Sequence, residues 1–72
     1  GAQVLYSIST RTSSPKPGDL VFFTETYDTP GISHVGIYVG DGWMLHCGDP
    51  ISYANLNTSY WQSHFYAYGK LF

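Results

Sequence analysis

The sequence contains few cysteines and few charges. Cys47 is the single cysteine among 72 residues, which excludes an intramolecular disulfide framework. Only 11% of the residues are charged, and the net charge is −2. The three basic residues, Arg11, Lys16 and Lys70, lie far apart along the chain. Because there is no basic patch to neutralise phosphates, we expect no binding to nucleic acid.

Long apolar runs are also absent. No run approaches the ~20 apolar residues of a membrane-spanning helix, so we expect no membrane span. We expect no signal peptide within residues 1–72, so these residues by themselves indicate no compartment. It does contain 43% hydrophobic and 18% aromatic residues, which predicts a folded domain rather than a disordered chain. A chain of this length buries only about 60% of the surface that its unfolded form exposes, so we expect marginal stability.

A β-hairpin is the clearest local prediction. In residues 31–47, two apolar runs lie on either side of Gly40, Asp41 and Gly42, a pattern typical of a tight turn between antiparallel strands. One histidine lies on each run, His34 on the first and His46 on the second. Two histidines on one face would suit acid–base chemistry, because imidazole titrates near neutral pH. The alternative is two structural histidines at the margin of a sheet, hydrogen-bonded to the backbone.

The length of the turn decides whether the two histidines share a face. With a two-residue loop they would lie on opposite faces of the hairpin. With a three-residue loop, Gly36 would pair with His46 and Val39 with Trp43, and His34 would become the diagonal neighbour of His46, roughly 7–8 Å away. We predict the three-residue loop, or an equivalent bulge that places both histidines on the same face. One face would then carry His34, Gly36, Tyr38, Met44 and His46, with Gly36 leaving space for the two rings to meet.

The remaining elements predict an α+β fold. Residues 2–8 have helical apolar spacing but no N-cap residue or first-turn carboxylate, which we interpret as the remnant of a cut helix. Residues 20–23 predict a buried strand, and residues 65–72 predict a last strand. Ser59 and Gln62 have the spacing of a capping box, which predicts a short helix from about residue 60 to 64.

The segments between these elements, residues 9–16 and 51–57, are predicted to be loops. The sum is an N-terminal helix followed by an antiparallel sheet or half-barrel of about four strands.

Cys47 directly follows His46, which raises two alternatives: a Cys–His catalytic dyad, or a zinc site formed by His34, His46, Cys47 and Asp49. Neighbouring side chains of a strand point to opposite faces, so neither arrangement fits the hairpin well. We predict that Cys47 lies on the apolar face with Val35 and Ile37, as a small buried hydrophobe.

Three ordered motifs resemble one known family. Residues 17–23 (PGDLVFF), 34–40 (HVGIYVG) and 44–46 (MLH) resemble the second half of the NlpC-type, papain-like cell-wall peptidases. Residues 48–51 and 59–61 are most similar to the versions in cell-wall hydrolases of Gram-positive mobile elements. The resemblance extends over residues 2–72.

The resemblance implies a papain-like fold and a cysteine endopeptidase that cleaves between γ-D-glutamate and the diamino acid of a peptidoglycan stem peptide. His34 matches the catalytic base of the family, and His46 matches the polar residue that orients it. The resemblance also implies that no metal or other cofactor is needed. It implies an extracellular or cell-wall location for the parent protein.

The family's nucleophile lies in an Asp-Cys-Ser-Gly-like segment at the start of a helix, and residues 1–72 contain no such segment. Cys47 follows His46 by one place, where the family commonly has alanine, so it does not match the nucleophile. We therefore expect a partial NlpC-type peptidase domain over residues 1–72, lacking the nucleophile helix and inactive alone.

The missing helix is expected to pack on the side where the histidines point. Its absence would expose Tyr38 and Met44 and favour association with a second copy, or with the missing N-terminal segment.

The alternative function is a non-catalytic β module that binds cell-wall peptide or glycan through aromatic side chains. The residues that would line such a groove are Tyr53, Tyr60, Trp61, Tyr66 and Tyr68.

Overall fold

The computed structural model describes residues 1–72 as two helices and six strands. In chain order these are α1 (Ala2–Ile8), β1 (Thr10–Thr12), β2 (Leu20–Thr24), β3 (Ile32–Gly40), β4 (Trp43–Cys47), β5 (Ile51–Asn55), α2 (Ser59–His64) and β6 (Phe65–Lys70). The strands form one open antiparallel sheet in the order β1-β6-β2-β3-β4-β5. The α+β class is confirmed, whereas the expectation of about four strands in a sheet or half-barrel is wrong in its strand count.

The two strands that the sequence did not predict are the edges of the sheet. β1 lies in the predicted loop 9–16 and pairs with β6, and β5 lies in the predicted irregular segment 51–57 and pairs with β4. Both strands are mostly exposed and carry no buried residue, so neither has an apolar pattern. Backbone pairing to a single neighbour defines these strands, and that pairing leaves no signature in the order of side chains.

Central strand β2 supplies alternate side chains to two hydrophobic clusters, one on each face of the sheet. Val21, Phe22 and Phe23 are all fully buried. The face that also carries the two hairpin histidines, here called the histidine face, has the cluster Val21, Phe23, Met44 and Leu56. The opposite face, here called the helix face, has the cluster Leu20, Phe22 and Ile32, against which α1 packs through Ala2, Leu5 and Tyr6.

The hairpin between β3 and β4 has the predicted faces, and it reaches them through the equivalent bulge rather than through a three-residue loop. Gly36 pairs with His46 as predicted. Gly40, not Val39, pairs with Trp43, so the loop has two residues and Val39 forms a bulge. Both loop residues, Asp41 and Gly42, have positive φ angles (54° and 81°), as a two-residue turn of this hand requires. The bulge adds the one residue that the loop lacks, and it restores the parity that places both histidines on one face.

The two helices are close to their predicted bounds. α1 begins without a side-chain cap or a first-turn acidic residue, as expected. The cap of α2 is Thr58, whose hydroxyl accepts a hydrogen bond from the Trp61 amide at 3.5 Å. Gln62 donates to the Leu56 carbonyl instead, so the predicted capping box at Ser59 is wrong. Neither helix is long and apolar enough to cross a membrane.

The histidine face is covered by the chain itself. Met44 is 0% exposed, and Tyr38 packs half-buried against the same cluster together with Ala54 and Trp61. The expectation that Tyr38 and Met44 would be uncovered is therefore wrong. The segment from β5 to α2, predicted to be largely irregular, folds back over this face and closes it.

Candidate active site

His34 and His46 form a direct hydrogen bond. The distance between His34 Nε2 and His46 Nδ1 is 2.9 Å, and the two rings lie perpendicular with centroids 5.2 Å apart. The predicted juxtaposition of the two rings is present, and the hairpin register explains it, because His46 lies opposite Gly36 and diagonally from His34. Met44 and His46 occupy the space that a side chain at residue 36 would need. A Cβ atom at Gly36 would lie 2.5 Å from Met44 Sδ and 3.4 Å from His46 Cβ.

The hydrogen bond limits the proton positions of the pair. A neutral imidazole has one N–H donor and one acceptor nitrogen, so one ring must donate and the other accept. When His34 donates from Nε2 to His46 Nδ1, the Nδ1 atom of His34 keeps its lone pair and can take a proton. The resulting imidazolium still donates to neutral His46. This arrangement can act as a general base with an orienting partner.

The environment favours neutral rings. Burial lowers the pKa of His34 below its ordinary value of 6.5, and the neighbouring charge of His46 lowers that pKa further. Burial also lowers the pKa of His46. Both rings are therefore mainly neutral at pH 7, which is the state that a base requires before the reaction.

A bulge at Ser33 sets the direction of the His34 side chain. Phe23 pairs with His34 and Thr24 with Ile32, so Ser33 is the extra residue between them. The Ser33 hydroxyl accepts a hydrogen bond from the Thr26 amide at 3.0 Å and lies 2.6 Å from the Thr26 hydroxyl.

A second tie holds the same end of β3. The Gln3 side chain of α1 accepts a hydrogen bond from the Ile32 amide at 3.1 Å. Sequence reasoning did not find this contact, because residues 29 positions apart in sequence show no local pattern.

Cys47 lies on the other side of the sheet from the histidine pair. It lines a groove of about 380 Å³ on the helix face together with Val35 and Ile37, as predicted from strand alternation. The prediction that Cys47 is buried is wrong, because the side chain is exposed at the end of β4, where nothing covers it. The groove is mainly apolar, and its lining residues are Leu5, Leu20, Val35, Gly36, Ile37, Leu45, His46, Cys47 and Ile51.

The aromatic residues of the alternative function do not form one groove. Tyr66 contacts Tyr6 on the helix face, whereas Tyr68 contacts Tyr38 on the histidine face. Tyr53 projects from edge strand β5 and is 65% exposed. Only Tyr60 and Trp61 are neighbours near the histidine pair.

Two curated proteins with related sequences carry names that describe peptidoglycan or peptide-bond chemistry. The "Probable endopeptidase p60" of Listeria monocytogenes is 43% identical over 72 residues, which is 99% of this chain and 14% of that protein. The "Bifunctional muramidase/DL-endopeptidase CwlT" of Bacillus subtilis is 47% identical over 55 residues, which is 75% of this chain and 17% of that protein. The chain thus spans about one sixth of these relatives or less.

A solved structure and a family profile also match this chain. A crystal structure of a Staphylococcus aureus protein described as similar to lipoprotein, NLP/P60 family, superposes with a TM-score of 0.93 at 36% identity. The superposition covers 97% of this chain and 25% of that one. The profile of the NlpC/P60 family matches residues 2–70. The chain belongs to the NlpC/P60 family.

Proposed function

We propose that residues 1–72 are part of a cysteine endopeptidase domain that cleaves peptidoglycan stem peptides between γ-D-glutamate and the diamino acid. In this proposal His34 is the base and His46 the residue that orients it. The observation that carries the proposal is the 2.9 Å hydrogen bond between His34 Nε2 and His46 Nδ1, because it leaves His34 Nδ1 as the one free ring nitrogen of the base. The substrate class comes from the family membership and from the endopeptidase names of the relatives.

The proposed reaction needs a nucleophile that faces His34. A cysteine thiol gives its proton to His34 Nδ1, and the thiolate attacks the scissile carbonyl carbon. The imidazolium then returns that proton to the departing amine nitrogen as the C–N bond breaks. A water molecule, deprotonated by His34, hydrolyses the thioester and regenerates the thiol. Throughout these steps His46 accepts the Nε2–H hydrogen bond and stabilises the positive charge on His34.

Cys47 does not fit the role of nucleophile. It lies on the helix face and the histidine pair on the histidine face, with the sheet between them. We therefore assign the nucleophile to a preceding segment of a longer protein, in keeping with the much greater length of the relatives. On this assignment residues 1–72 alone are inactive.

The preceding segment also has a surface to cover. The open apolar groove lies beside α1 on the helix face, and Ile37 and Ile51 on its wall are 44% and 66% exposed. We assign this groove, rather than Tyr38 and Met44, to contact with the preceding segment. The proposed substrate is a cell-wall polymer, so we place the longer protein in the cell wall or outside the cell.

The direct test compares the 72-residue chain with a longer chain from the same gene that includes the preceding segment. Each is incubated with a stem peptide containing the γ-D-glutamyl–diamino acid bond, and products are identified by mass spectrometry. We expect cleavage by the longer chain, loss of cleavage after thiol alkylation, and no cleavage by the shorter chain. Cleavage by the 72-residue chain that Cys47→Ala abolishes would overturn the assignment of the nucleophile.

The same pair of chains tests the groove. We expect the 72-residue chain to associate through the groove at micromolar concentration, and the longer chain to be monomeric in sedimentation experiments. Ile51→Lys should reduce association, whereas Tyr27→Lys, at an equally exposed position in the loop before β3, should not. If the unmodified 72-residue chain is monomeric, the apolar groove is not a surface that needs the preceding segment to cover it.

A further inference from the structure

Trp61 contacts both histidines of the pair. Its indole lies nearly parallel to the His34 ring, at an interplanar angle of 22° and a centroid distance of 5.7 Å. It lies nearly perpendicular to the His46 ring, at 81° and 5.1 Å. The two imidazoles are themselves perpendicular. A single indole plane thus meets one ring by its face and the other by an edge, both arrangements that aromatic pairs prefer.

Trp61 is itself held by three contacts. Its backbone amide donates to the capping hydroxyl of Thr58, which places it in the first turn of α2. Its ring packs 4.7 Å from the ring of Phe23, a fully buried residue of β2. Tyr60 contacts the indole from the side at 4.9 Å. The indole therefore presents a fixed wall to the histidines.

The histidine pair depends on packing for its orientation. The single hydrogen bond that either ring makes within the chain is the one between them. By contrast, the third histidine, His64, has its Nδ1 atom 2.9 Å from the Thr24 carbonyl and is held by the backbone. The terminal torsion of histidine has a broad energy profile, so a ring without a second hydrogen bond is free to rotate unless neighbours restrict it.

We propose that Trp61 is a positioning residue whose indole holds the two imidazoles in the observed orientation, in which His34 Nε2 faces His46 Nδ1, and keeps water away from that hydrogen bond. Hydrogen bonds gain strength where water is excluded, and a hydrogen bond between two neutral imidazoles needs a proton on one of the two facing nitrogens and a lone pair on the other. The consequence for the reaction rests on the proposed function, but the positioning itself is a property of residues 1–72.

The test uses the 72-residue chain with ¹⁵N-labelled histidine. Imidazole ¹⁵N shifts, recorded above the pKa of both rings, report which nitrogen carries the proton. We expect one tautomer per ring in the unmodified chain and in Trp61→Phe, which keeps an aromatic face. In Trp61→Leu, which keeps apolar bulk but no ring, we expect averaged tautomers, and the pKa of His34 should move up toward its ordinary value as water reaches it. Trp43→Leu is the control for loss of an indole, because Trp43 lies on the opposite face; it is 43% exposed, whereas Trp61 is half-buried.

Two results would overturn the proposal. One is a folded Trp61→Leu chain, judged by amide dispersion, whose histidines keep the unmodified tautomers and pKa values. The other needs no variant: carbon-bound ring protons of His34 in the unmodified chain must be shifted upfield by the stacked indole, and ordinary shifts would show that the stacking is absent. The second measurement decides the question even if Trp61→Leu unfolds.

Activity separates this proposal from the proposed function. In the longer chain we expect Trp61→Leu to lower kcat by about 10²-fold with little change in KM, the effect of a misplaced reacting group. We expect Trp61→Phe to retain most of kcat. If the histidine shifts respond to Trp61→Leu but the longer chain cleaves no stem peptide, the proposed function fails and the positioning stands. If the longer chain is active and its Trp61→Leu variant has the same histidine ¹⁵N shifts and the same kcat, the positioning role of Trp61 is wrong and the proposed function stands.

Discussion

The two faces of the sheet are made by the same strands but are covered very differently. On the histidine face, the segment from β5 to α2 folds back over Met44 and Phe23, which are fully buried. On the helix face, α1 covers Leu20 and Phe22 but leaves an open apolar groove beside it. The histidine pair lies on the face that the chain closes for itself.

This difference indicates that the two faces depend on different parts of the protein. The geometry of the histidine pair is set within residues 1–72, by the hairpin register, the bulge at Ser33 and the wall of α2. The apolar groove has no such internal cover. We expect changes on the histidine face to affect both stability and chemistry, and changes on the helix face to affect mainly association with other segments.

The largest effect is expected on catalysis. In the longer chain, if it cleaves the stem peptide as proposed, His34→Ala should lower kcat by on the order of 10²–10⁴-fold, the usual contribution of a positioned base. His64→Ala is the control, because His64 lies outside the pair, with its Nδ1 atom within hydrogen-bond distance of the Thr24 carbonyl. This variant should retain kcat within a few-fold. Steady-state rates with a stem peptide measure both. Equal losses for the two variants would show that His34 has no special role.

The next effect contrasts stability on the two faces. Met44→Ala removes a fully buried side chain from the histidine face and should lower the free energy of unfolding by about 2–5 kcal/mol. Ile51→Ala, at a position 66% exposed on the helix face, should change it by less than about 0.5 kcal/mol. Urea denaturation of monomeric samples gives both values. Similar losses of unfolding free energy for Met44→Ala and Ile51→Ala would show that the two faces are not covered to different degrees.

Gly36→Ala should have a smaller effect that combines packing and the site. An added Cβ would meet Met44 Sδ at 2.5 Å and the Leu45 carbonyl at 3.4 Å, so Met44 must move. We expect a loss of about 1–3 kcal/mol in the free energy of unfolding, typical of overpacking. We also expect altered ring shifts for His46, which lies directly opposite. An unchanged denaturation midpoint would show that the Met44 side chain can move away from the added Cβ without lowering the free energy of unfolding.

The smallest effect is expected in the pH dependence of stability. The pKa values of His34 and His46 are lowered by burial below 6.5, so the unfolded chain binds more protons than the folded chain just below that pH. The free energy of unfolding should therefore fall as the pH decreases from 7 through 6.5, and level off below the folded pKa values.

The Asp19 carboxylate should produce a separate step in the pH dependence of stability. Hydrogen bonds from the Lys16 amide and the Lys70 ammonium lower the pKa of Asp19 below 3.8, so its contribution is lost only at more acidic pH. Urea denaturation at several pH values measures both steps. Stability that stays constant or rises between pH 7 and pH 5 would contradict the neutral, buried histidine pair.

Sequence reasoning succeeded where side-chain alternation carries the information. The face shared by His34 and His46 depends only on the parity of the turn, and a two-residue loop with a bulge has the same parity as a three-residue loop. The hairpin uses the bulge, at Val39, and the two histidines share a face as predicted. Edge strands β1 and β5 were missed because one-sided backbone pairing requires no apolar pattern.

The contacts that complete the site were beyond local patterns. Trp61 reaches the histidines because α2 folds back over the sheet, and no spacing in the sequence specifies that approach. Gln3 ties α1 to the start of β3 by a contact that is equally distant in sequence. Cys47 was correctly placed on the helix face, but its exposure depends on which neighbours cover the end of β4.

We propose that His34 presents a free Nδ1 while its Nε2–H is donated to His46. Imidazole ¹⁵N–¹H correlation spectra of the 72-residue chain, recorded above the pKa of both rings, report the protonated nitrogen of each ring. We expect His34 to carry its proton on Nε2 and His46 Nδ1 to be the acceptor, across the 2.9 Å contact. A His34 ring protonated on Nδ1, with His46 as the donor, would leave no basic nitrogen for a nucleophile, and His34 could not be the base.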